Sequence, residues 1–115
     1  MISKIKIVSI TVNDQQKALE QATKAKEVLG DDPELTKLLG KIAYQQTNYP
    51  LAIRLLLESS RKRPEDAEIY FFIGMTHYQQ KVKQESKRAL ERALNLSPNA
   101  PFALEATRTL TELNQ

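Results

Sequence analysis

Gly40 and Gly74 stand 34 residues apart, and the same offset joins Pro64 to Pro98, Leu56 to Leu90 and Ala52 to Ser86. Small residues and prolines recurring at a fixed period mean stacked copies of one supersecondary unit, which limits this chain to a repeat architecture. A glycine inside a helix costs about 1 kcal/mol relative to alanine, so Gly40 and Gly74 need a packing reason. Close approach of a partner helix supplies one. Ala52 and Ser86 are expected opposite the glycines, with Leu56 and Leu90 one turn further on, filling the space beside each contact.

Counted from Pro33, the residues Leu39, Gly40, Ala52, Leu56 and Pro64 fall at places 7, 8, 20, 24 and 32, and Tyr70, Ile73, Gly74, Ser86, Leu90, Ala93 and Pro98 repeat that frame. This pattern resembles the tetratricopeptide repeat, a helix–turn–helix unit. The resemblance implies an all-α solenoid of antiparallel helix pairs. Thr36, where the family usually has a large aromatic, and Ser59, where it usually has alanine, depart from the pattern and are expected to weaken the first repeat's packing. The resemblance places full repeats at 33–66 and 67–100, flanked by half-repeats at 14–32 and 101–115. Ala18, Ala22 and Ala25 fit a lone second helix before the first full repeat.

Helices are expected at 14–29, 33–46, 50–62, 67–80, 84–96 and 101–113. Pro50 suits a first helical turn, where its missing N–H is an orphan anyway. Pro64 and Pro98 close the second helices, because the residue before proline is driven out of the α region. Asp31 and Asp32, just before Pro33, read as N-cap and first-turn carboxylates. Stacked units need about three neighbours to bury a continuous core, so the half-repeats must act as caps around one helical domain, 13–115.

Residues 1–12 do not fit a helical solenoid. Ile5, Ile7, Val8, Ile10 and Val12, with Thr11 between, are dense in β-branched types and read as a strand. The run Met1 to Glu20 resembles the first strand and helix start of the glyoxalase/bleomycin-resistance (vicinal oxygen chelate) family. That family's metal ligand would fall at Ile7, so the resemblance implies no activity here. An exposed apolar strand is a pairing site. Ile5, Ile7, Val8, Ile10 and Val12 are therefore the candidate dimerisation residues, and a self-assembling unit without a separate ligand is the alternative function.

The main functional expectation comes from the first helices. In the tetratricopeptide family the groove that takes up peptides is lined by places occupied here by Glu34, Lys37, Lys41, Tyr44 and Gln45, then Glu68, Phe71, Met75, Tyr78 and Gln79, then Phe102, Glu105 and Thr109. The implied groove has a basic wall of Lys37 and Lys41, an aromatic and methionine floor of Phe71, Met75 and Tyr78, and an acidic far side. Methionine adapts its shape to a ligand, and such a surface suits a peptide with apolar anchors. The competing expectation is that Phe71, Met75 and Tyr78 are buried by the last helix or the N-terminal segment. Capture of a terminal carboxylate, which a sub-class of these repeats performs, lacks the asparagines it needs.

Other classes find little support. His77 is the only histidine, no cysteine is present, and no Gly-rich phosphate loop or nucleophile elbow occurs, so neither catalysis nor a cofactor or metal is expected. His77 falls on the packing stripe with Tyr70, Ile73 and Gly74. Arg61, Lys62 and Arg63 end a helix, where cations meet the dipole favourably. Lys81, Lys83, Lys87, Arg88 and Arg92 are diluted by Glu85 and Glu91 without interleaved aromatics, which argues against nucleic acid. The net charge of +3 is mild. With no transmembrane segment and a poor signal-peptide core after Lys4 and Lys6, a cytoplasmic address and a protein or peptide partner are expected.

Overall fold

The computed structural model describes residues 17, 20, 21, 23, 24, 26–28, 30 and 32–115. The candidate dimerisation residues Ile5, Ile7, Val8, Ile10 and Val12, the glyoxalase-like run apart from Lys17 and Glu20, and Ala18, Ala22, Ala25 and Asp31 lie outside the described residues.

Five helices follow one another from Pro33: α1 (Pro33–Gln45), α2 (Tyr49–Lys62), α3 (Ala67–Gln79), α4 (Lys83–Leu96) and α5 (Ala103–Leu113). The described positions between 17 and 28 are helical as well, and among the described residues there is no strand. The fold is an all-α solenoid. The helix bounds agree with the periodic expectation to within a residue except at α5, which begins at Ala103 because residues 97–102 run through successive turns, Ala100 N donating to the Ser97 carbonyl and Ala103 N to that of Ala100.

Caps and turns repeat with the sequence period. The Asp32 carboxylate accepts from the Glu34 N–H at 3.0 Å, and the Asp66 carboxylate accepts from the N–H groups of Glu68 and Ile69 at 3.0 and 3.3 Å, which satisfies orphan donors of α1 and α3. At the other ends, Thr47 N–H bonds the Tyr44 carbonyl and Asn48 N–H that of Ala43, while Lys81 and Val82 do the same to Tyr78 and His77. This is the Schellman arrangement, with Thr47 (φ 62°) and Lys81 (φ 63°) in the left-handed conformation.

Two apolar clusters form the core. Ala43, Ala52, Leu56, Ile69, Ile73 and Ala89 join α1 to α4, and Phe71, Met75, Leu90, Ala93 and Ala106 bind α3 and α4 to α5. Thr36 and Ser59 do not loosen this packing as expected: both are 1% exposed, and their hydroxyls donate to the carbonyls of Asp32 at 2.9 Å and Pro33 at 2.8 Å. A buried hydroxyl with a partner costs little. Ser86 behaves alike, donating to the Gly74 carbonyl at 2.8 Å across the α3/α4 contact.

Candidate partner-binding face

The first helices α1, α3 and α5 present equivalent positions side by side, and each joins its neighbour through the same register with different chemistry. Between α1 and α3 the link is ionic: Lys37 Nζ lies 2.8 Å from Asp66 Oδ2 and 2.8 Å from Glu68 Oε1, and Lys41 Nζ lies 3.4 Å from Glu68 Oε2. One repeat later the link is aromatic. Phe71, equivalent to Lys37, stacks on Phe102, equivalent to Glu68, with centroids 4.7 Å apart and planes inclined by 22°. Such offset stacking is favourable beyond the area it buries.

The ion-pair cluster is partly buried, and its electrostatics follow from that. Burial opposes the Lys37 ammonium, yet hydrogen bonds and attraction from Asp66 and Glu68 outweigh it and hold its pKa above the usual lysine value. Burial likewise opposes the Glu68 carboxylate, but Lys37 and Lys41 overcome it and lower its pKa. The positive wall expected from Lys37 and Lys41 is thus compensated within the molecule. Lys41 also sits 5.4 Å over the Phe72 ring.

The expected floor is closed over. Phe71 and Met75 are each 5% exposed, covered by α5 through Phe102, the fully buried Ala106 and Thr109, whose hydroxyl lies 3.7 Å from the Met75 sulfur. This corrects the expectation of an open aromatic and methionine floor. The reason is the shortness of the array, in which the last helix buries the apolar stripe nearest to it.

What stays accessible is a rim above that floor. Tyr44 is half-buried, its ring 5.9 Å from Tyr49 and 5.6 Å from Phe72. Burial raises the Tyr44 pKa, a hydrogen bond with Gln79 partly offsets this, and the charge of Glu105 adds to the rise. Tyr78 donates its hydroxyl to Glu112 Oε1 at 2.7 Å, and that bond raises its pKa. Gln45, Gln79, Glu105 and Glu112 are exposed, and Phe102 is half-buried. The structure therefore brings Tyr44, Tyr78, Gln79 and Phe102 to one rim, ties Lys37 and Lys41 into the ionic cluster, and places Phe71 and Met75 beneath. Sequence reasoning missed Phe72, which bridges Tyr44 and Phe71. Its place beside Phe71 was visible, but on helical spacing it reads as ordinary core.

His77 is half-buried rather than fully packed, with its Nδ1 buried and without a hydrogen-bond partner. Burial lowers its pKa, with Glu85 opposing. Among the described residues no group of three or more His, Cys, Asp or Glu side chains could hold a metal ion, and no helix is long and apolar enough to cross a membrane.

A tetratricopeptide repeat family model matches residues 37–103. The chain belongs to the tetratricopeptide repeat family. No curated protein sequence matches it. Solved structures similar to it include a mutant of MamA, with a TM-score of 0.77 at 19% identity over 95% of this chain and 58% of that one. Another begins at residue 41 of MamA from Desulfovibrio magneticus RS-1, with a TM-score of 0.74 at 17% identity over 96% of this chain and 71% of that one. A third, MamA AMB-1, has a TM-score of 0.73 at 20% identity over 93% and 68%. The chain spans less than two thirds of the first of these, and at such identities the likeness is one of fold. As a tetratricopeptide repeat array, the chain has the architecture of a protein-interaction scaffold.

Proposed function

We propose that this chain holds a segment of a protein partner against the face made by α1, α3 and α5. The observation that carries the reading is the rim of Tyr44, Tyr78, Gln79 and Phe102: three aromatic side chains left half-exposed beside an exposed amide, on the face that the first helices share. Aromatic side chains of this kind supply large contact area at low entropic cost, which is why they dominate interaction hot spots. The reading differs from the sequence-based one in that Phe71 and Met75 support the rim from below instead of meeting the ligand. The cytoplasmic setting belongs to the same proposal and rests on the sequence alone, as does pairing of two copies through residues 5–12.

The test is a selection from a displayed library of short peptides, followed by mapping of the bound peptide through backbone amide shifts. Shifts clustered at Tyr44, Tyr78, Gln79 and Phe102 support the proposal, as does loss of binding in Tyr44→Ser with an unchanged helical signal. Binding mapped to the opposite faces of α2 and α4 overturns it.

A further inference from the structure

The charge on this face is unevenly compensated. Its two lysines, Lys37 and Lys41, are already engaged by Asp66 and Glu68 at 2.8–3.4 Å. On α5 the situation is reversed: among the described residues no cation lies within ion-pairing distance of Glu105 or Glu112, and the Glu112 carboxylate takes its hydrogen bond from the neutral Tyr78 hydroxyl. Glu105 reaches across the face far enough for its charge to act on the Tyr44 phenol of α1. Carboxylates from α5 and rings from α1 and α3 thus converge over the covered Phe71 and Met75.

We infer that the partner segment is basic, with arginine or lysine side chains seated against Tyr44 and Tyr78 and answered by the Glu105 and Glu112 carboxylates. The inference rests on the proposed function and names its partner class. A cation placed there gains a carboxylate and an aromatic face together, and arginine is suited to both. An acidic segment would meet two uncompensated carboxylates and would have to break the Lys37 and Lys41 pairs to find a cation. Glu105 and Glu112 are two helical turns apart, about 10.5 Å. Three residues of extended chain span about 10 Å, so basic residues three apart would reach both carboxylates.

The experiment titrates the full chain with three fluorescein-labelled peptides of one leucine-containing sequence, carrying arginine, glutamine or glutamate at two positions three residues apart. The arginine peptide is expected to bind tightest, to weaken with added salt, and to shift the amides of Tyr44 and Gln79. Glu105→Gln and Glu112→Gln should each weaken it by about two- to fivefold. Glu91→Gln on α4, which removes the same charge elsewhere, should leave it unchanged. If the glutamine or glutamate peptide binds this face as well or better, the basic partner class is overturned while the interaction face stands. If none of the three binds and none shifts Tyr44 or Gln79, both readings fall.

Discussion

A Cβ built on Gly74 would lie 2.6 Å from Leu90 Cγ and 3.1 Å from the Leu90 backbone nitrogen. One repeat earlier, Gly40 stands in the same relation to Leu56, at 2.7 Å and 3.4 Å. Leu90 and Leu56 are both fully buried, so neither can swing aside. Gly74→Ala gains about 1 kcal/mol of helix propensity but forces α3 and α4 apart, and overpacking of this kind costs about 1–3 kcal/mol. Urea unfolding should show a net loss, smaller for Gly40→Ala because its backbone clearance is wider. A Gly74→Ala variant more stable than the parent would refute the contact.

The Phe71–Phe102 stack fastens α5 to the array. Phe102→Ala should cost about 2–3 kcal/mol by removing a half-buried ring and uncovering Phe71. Hydrogen exchange should quicken across 103–113 while α1 and α2 keep their protection. Equal quickening throughout would mean that α5 does not open separately.

Thr47 is β-branched and occupies the left-handed conformation at the C-terminal turn of α1. That conformation costs a side-chain-bearing residue about 1–2 kcal/mol, and a β-branched one is an outlier there. Thr47→Gly should therefore raise the melting temperature, by about 1 kcal/mol in stability, and Lys81→Gly should raise it less. The check is a thermal melt of both variants.

Asp66 serves two purposes and Asp32 one. Both cap a helix, but Asp66 also receives Lys37 Nζ at 2.8 Å. Loss of the cap should cost about 1 kcal/mol in Asp32→Ala and nearer 2 kcal/mol in Asp66→Ala. Asp66→Asn, which keeps the cap and loses the charge, should recover most of the difference from urea midpoints.

Protonation should be visible in stability. The His77 pKa is lowered by burial, so the unfolded chain binds that proton more readily. Its contribution is complete above the ordinary histidine value and is lost as pH falls through the folded one. Stability should decline between about pH 7 and 5, and His77→Ala, which copies the equivalent Ala43, should flatten that slope. Below about pH 5 the lowered pKa of Glu68 adds a further loss as its carboxylate is protonated. At the alkaline end the raised Lys37 pKa works oppositely: its contribution is present below the ordinary lysine value and disappears as pH rises through the folded one. Unfolding free energies measured across this range, for the parent and His77→Ala, decide the matter.

The 34-residue period by itself determined the helical solenoid, the glycine–leucine contacts and nearly every helix end. Each of these depends on residue size or backbone conformation at a fixed place: no side chain fits at Gly74, and Pro64 and Pro98 halt a helix wherever it is packed. The candidate site was less legible because its character depends on which neighbour meets each side chain. Lys37 read as a free cation until Asp66 and Glu68 were found beside it, from another helix 29 and 31 residues on. Phe71 and Met75 read as surface or core with equal reason, since spacing shows that an apolar stripe exists and not what covers it. Only the tertiary structure decided that α5 covers them, leaving Tyr44, Tyr78 and two unpaired carboxylates to face a partner.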